Sequence, residues 1–62
     1  MQYIIKIDCD NAAFQDEGTG REIARILAVL EHRNEGRTLE PWTGSLLDAN
    51  GNKVGVADVV LD

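Results

Sequence analysis

Three clusters in this sequence hold residues of the kinds that bind metal or phosphate. Asp48, Asn50 and Asn52 stand at alternate positions, the spacing of the first three oxygen ligands of an EF-hand loop. The rest of that loop is missing: glycine falls at the fourth position (Gly51) instead of the sixth, and Val59 stands twelfth, where a bidentate carboxylate is needed. Asp8 and Asp10 form a D-x-D pair at a strand end, with both carboxylates on one side. Two carboxylates can hold a divalent cation, but no third ligand stands near them. Gly18-Thr19-Gly20 opens a helix, and a helix N-terminus can receive phosphate. Here Asp16, Glu17 and Glu22 would repel it, and no P-loop lysine is present.

Single residues offer less. Cys9 lies between Asp8 and Asp10, whose charges disfavour a thiolate, so it reads as a small half-buried strand residue. His32 is the one histidine; it reads as solvated, without a partner to orient it for catalysis. Trp42 follows Pro41 and reads as an anchor at the core or its rim, or as an interface contact. No nucleophile, base and oxyanion set emerges, so the expectation is a non-enzymatic protein with no cofactor and no bound metal.

Composition narrows the classes further. Sixty-two residues allow one domain with a small core. No apolar run approaches the ~20 residues that span a bilayer, and no secretory signal opens the chain. No basic patch suits direct binding of nucleic acid. A single cysteine cannot form an internal disulfide, which fits a reducing cytoplasm.

The elements that must position these residues follow from periodicity. Tyr3, Ile5, Ile7 and Cys9 alternate with Gln2, Ile4, Lys6 and Asp8, which predicts a half-buried strand. Asp10-Asn11 ends it, and residues 11–18 read as a loop tied to the core by Phe14. Thr19 and Glu22 fit a capping box. Ile23, Ile26, Leu27 and Leu30 then form an apolar helical stripe, opposite Arg21, Arg25 and His32. Gly36 is a left-handed stop, with Arg33 and Arg37 near the negative helix end. Val29 breaks the pattern, standing on the polar side among Glu22, Arg25 and Arg33.

Asp48-Ala49-Asn50-Gly51 fits a type I turn within a three-residue hairpin loop. That register pairs Leu46 with Val54 and Gly44 with Val56. It places Trp42, Leu46, Val54 and Val56 on the core face, with Thr43, Ser45, Leu47, Lys53 and Gly55 toward water. Asp58 interrupts the alternation, which predicts a bulge or a strand edge near Ala57-Asp58. The predicted fold is α+β in the order β-α-β-β: a three-stranded, mainly antiparallel sheet, its last strand central, with one helix on one face. The other face has no cover, so Ile4, Leu47 and Leu61 sit there partly exposed.

The net charge is −5. Residues 19–37 carry four Arg and three Glu, while the remainder carries two Lys and eight acids. The acidity therefore lies outside the helix, most densely in residues 8–17, which hold four acids and no base. Solubility accounts for such a surface, and so does docking onto a basic partner.

Asp10-Asn11-Ala12-Ala13-Phe14, then Glu22-Ile23-Ala24-Arg25-Ile26-Leu27, then Leu46-x-Asp48-x-Asn50-Gly51-Asn52-x-Val54-Gly55 resemble the pattern of a group of very short phage and prophage proteins, largely of unknown function. The resemblance implies a mobile-element origin and no catalytic residue. By analogy of size and charge, it suggests an anti-CRISPR-like inhibitor of a host defence complex. Asp8, Asp10, Asp16, Glu17, Asp48 and Asp58 would meet the lysines and arginines of its nucleic-acid-binding site. Two alternatives stand beside it. One is a binding module using the open sheet face or an edge strand, with Val29, Leu47 and Trp42. The other is a structural or homo-oligomeric phage component, a homodimer being its simplest form.

Overall fold

The computed structural model describes residues 1–36 and 40–61. The elements run β1 (Gln2–Ile7), α1 (Ala12–Glu17), α2 (Thr19–Asn34), β2 (Trp42–Leu47) and β3 (Lys53–Val60). The strands form one antiparallel sheet in the order β1-β3-β2, so the last strand is central as predicted. The chain measures 36 × 21 × 17 Å, and its short axis fits one helical layer on one sheet.

Among the described residues there are two helices where one was expected. Residues 12–17 form a short helix because Ala12-Ala13-Phe14-Gln15 are good or tolerable helix formers and the turn-forming Asn11 lies just outside it. Six residues do not hold a helix by themselves. Burial of Ala13 and Phe14 against α2 and the sheet supplies the missing stability. Gly18 joins the helices at φ +90°, a backbone conformation that a side chain would strain.

The predicted capping box does not form. Gly18 takes the N-cap position of α2, Thr19 is already helical, and the Glu22 amide donates to the Gly18 carbonyl at 3.0 Å. The Glu22 side chain instead turns inward. The buried row of α2 is Glu22, Ile26 and Leu30, with Ile23 packed beside it, and Leu27 is exposed. The helix is therefore rotated toward its Glu22 side relative to the predicted stripe. Gly36 has the positive φ expected of a helix stop, while Arg37 lies outside the described residues.

The hairpin turn is as predicted: the Gly51 amide donates to the Asp48 carbonyl at 3.1 Å, and Asp48 and Asn52 close the three-residue loop. The register beyond it is not. Leu47 pairs with Lys53, but Leu46 pairs with Gly55, so Val54 is an extra residue in β3. The irregularity sits there and not at Ala57-Asp58, where β3 runs through, paired on both sides. This bulge turns Val54 into the core and shifts all later residues by one. Ala57 and Val59 consequently replace Val56 on the core face, and Gly44 lies opposite Ala57.

Gly55 faces β1 instead of water. A Cβ at Gly55 would collide with the Lys6 carbonyl oxygen, so close strand approach requires glycine there. Phe14, Ile26, Leu30, Leu46, Val54 and Ala57 form the core. Ile5, predicted to point inward, remains 41% exposed on the edge strand β1.

Candidate functional site

Helix α2 presents a second row beside its buried one. Arg25, Val29 and Arg33 follow each other at i, i+4 and i+8 and lie in one line along the helix. This row and the outer edge of β2, from Ser45 to Leu47, form the walls of a groove of about 300 Å³, with Ile26 and Leu46 also lining it and the hairpin turn at its end. β2 is an edge strand, so among the described residues no strand pairs its outer side.

The two arginines are held differently. Arg25 donates through Nε to Glu22 Oε1 at 2.7 Å and through Nη2 to the Leu47 carbonyl at 2.7 Å. It thereby compensates the buried Glu22 carboxylate and ties α2 to β2. Arg33 takes no hydrogen bond or ion pair among the described residues; its Nη1 lies over Gly44 of β2. Val29 stands between them, 43% exposed.

Asp48 closes one end of the groove but is not an exposed acid. It is buried, and its carboxylate accepts from Asn11 Nδ2 at 2.9 Å, the Asn50 amide at 2.9 Å and the Asn52 amide at 2.8 Å. The Asn11 bond is the chief cause holding its carboxyl below the ordinary range; the Asn52 and Asn50 amides add to this against an opposing pull from burial. This corrects Asp48 as a contact residue: its charge is spent on the turn and on joining the turn to α1.

The other predicted contacts are dispersed. Asp58 sits half-buried on the uncovered sheet face and accepts from Thr43 Oγ1 at 2.7 Å. Asp8 and Asp10 are exposed after β1, with the Asp10 amide donating to Asp8 Oδ1 at 3.2 Å. Lys6 and Lys53 line the same shallow depression as Asp8. These two lysines, the only ones in the chain, break the negative surface there. Asp16 and Glu17 are exposed in the last turn of α1.

Trp42 is half-buried on the helix side of the sheet, its ring edge-on to Tyr3 at 6.1 Å between centroids and folded over Gly44. It is a rim anchor, and the Tyr3 hydroxyl and Asn34 amide bond behind it at 2.9 Å. His32 does have a carboxylate neighbour, contrary to expectation: Glu35 Oε2 lies 4.0 Å from Nδ1, with both side chains largely in solvent. Among the described residues, no three His, Cys, Asp or Glu come together as a metal cage, and no helix is long and apolar enough to cross a membrane.

The sequence signal for the groove was the Arg25-Val29-Arg33 spacing around an out-of-place valine. The part it did not contain was the partner wall, because nothing local says that α2 lies along the edge of β2. Compared with protein-family models, curated proteins and solved structures, the chain matches none.

Proposed function

We propose that this chain is a non-enzymatic interaction module that engages a protein partner through the groove between α2 and β2. The observation that carries this reading is the exposed Val29, set between two arginines and facing an unpaired strand edge. Such a site combines an apolar centre, charged flanks and free backbone groups, the three ingredients of strand-type peptide recognition.

A second reading uses the exposed acids. A phage-type accessory protein would lay Asp8, Asp10, Asp16 and Glu17 against the basic nucleic-acid-binding site of a host defence complex. Their exposure, and the lack of any ion pair to them among the described residues, favours it. Association would then be steered by charge and would weaken steeply with salt.

Photo-crosslinking from position 29 and from position 15, beside the acids, separates the two. The groove reading expects a saturable crosslink from position 29 that is lost in Leu47→Asp and survives replacement of Asp16 and Glu17 by Lys. A crosslink confined to position 15 and abolished by those lysines overturns it in favour of the acidic surface.

A further inference from the structure

From the geometry of this groove we infer the chemistry of its occupant: an extended peptide segment with an acidic residue, an apolar residue and a second acidic residue at i, i+2 and i+4. This inference rests on the groove being the docking site. Arg25 and Arg33 are eight residues apart, about 12 Å along the axis at ~1.5 Å per residue. An extended chain advances ~3.3 Å per residue, so four steps span about 13 Å. Alternate side chains of such a chain point the same way. Positions i and i+4 therefore reach the two guanidiniums while i+2 rests on Val29.

The second wall requires the extended form. The outer edge of β2 offers backbone groups that only another strand can satisfy in series. Arg25 already occupies the Leu47 carbonyl, so the free stretch of edge runs from Leu46 toward Trp42, past Arg33.

Charge points the same way. Among the described residues, Arg33 is unpaired and the Nη1 donors of Arg25 make no bond. The acids at the groove are engaged within the fold: Glu22 is ion-paired with Arg25, and the Asp48 carboxylate keeps its charge but turns its oxygens toward the amides of its own turn and of Asn11. Arg33 is thus the cation of the groove that no acid balances among the described residues, on a chain of net charge −5. A second copy of this chain is the competing occupant, but the β2 strand it would add, Trp42–Leu47, carries no acid to meet the arginines.

The test uses the full chain, isotope-labelled, and three end-capped peptides: Glu-Thr-Val-Thr-Glu, its off-face isomer Thr-Glu-Val-Glu-Thr, and Lys-Thr-Val-Thr-Lys. The first is expected to shift amides of residues 25–33 and 42–47, to bind at least about fivefold more tightly than either comparator, and to slow hydrogen exchange along β2. Arg33→Ala should weaken it about threefold to tenfold, as for an exposed charge pair in a partly desolvated site, with thermal unfolding unchanged. Equal affinity for all three peptides, shifts confined to residues 8–17, or concentration-dependent shifts without peptide would overturn the inference. If the peptides fail while the position-29 crosslink persists and is lost in Leu47→Asp, the occupant is wrong and the groove stands. If both fail, the groove reading falls with it.

Discussion

Two rows run side by side on α2, and their chemistry is inverted. Glu22, Ile26 and Leu30 form the buried row, which begins with a carboxylate. Arg25, Val29 and Arg33 form the groove row, which has a valine exposed at its centre. Polarity alone would bury Val29 and expose Glu22. The inversion is possible because Arg25 belongs to one row and reaches into the other, bonding Glu22 and the Leu47 carbonyl together. A buried carboxylate is thus tolerated through its partner, and a valine is left at the surface where the strand edge lies open.

The comparison breaks most severely at the buried row. Leu30→Ala removes a core side chain and is expected to cost about 2–5 kcal/mol. That is a large part of the roughly 3–9 kcal/mol available to a domain of this size. Urea unfolding should show little folded protein, or a midpoint far below the parent. The equivalent truncation in the groove row, Val29→Ala, should sit within about 0.5 kcal/mol of the parent.

Next in size is the arginine that links the rows. Arg25→Ala leaves Glu22 buried without its cation, and a loss of about 1–3 kcal/mol is expected, reduced from the fully buried case because Arg25 is half in solvent. In a Glu22→Gln background the same change should cost clearly less. A double-mutant cycle measures the difference, and additive effects would show that the rows are independent.

The hairpin provides a pH test. The Asp48 carboxyl is held below its ordinary value in the fold, so the unfolded chain binds the proton more readily. Its contribution is complete above the unfolded carboxylate range and disappears as pH falls through the lower folded value. Asp48→Asn should therefore flatten the decline in stability between about pH 5 and pH 2, seen in urea midpoints across that range. An unchanged slope would mean that other carboxylates dominate acid unfolding. The smallest effect on stability is expected from Val29→Asp, which should leave the urea midpoint almost unaltered because the side chain already stands at the surface.

Much of the fold was legible in local pattern. The alternation in residues 2–9, the Asp48–Gly51 turn and the Gly36 stop carry their own signals, since each depends on residues close in sequence. The α1 helix was not legible, because Asn11 reads as a turn former and six residues are too few for periodicity to register; tertiary burial of Phe14 makes it. The hairpin register failed for a related reason. The turn was read correctly, but Val54 leaves the ladder where Gly55 must let β1 approach, and that contact is 48 residues away from Ile7 in the chain. For the site, the odd position of Val29 was visible, whereas burial of Asp48 was not. An acid in a turn looks exposed until Asn11 is brought across to it.

By itself, the sequence determined that this is a small acidic α+β chain with an amphipathic helix, a glycine-closed hairpin and a valine on the wrong side of that helix. Those features follow from spacing and turn chemistry over a few residues. Only the tertiary structure decided which acids are free, which are consumed, and what faces Val29. Each of those outcomes depends on a partner far along the chain: Asn11 for Asp48, Thr43 for Asp58, and the edge of β2 for the arginine row. A side chain's charge is written in the sequence, but whether it meets solvent, a neighbour or a partner is set by what the fold places against it.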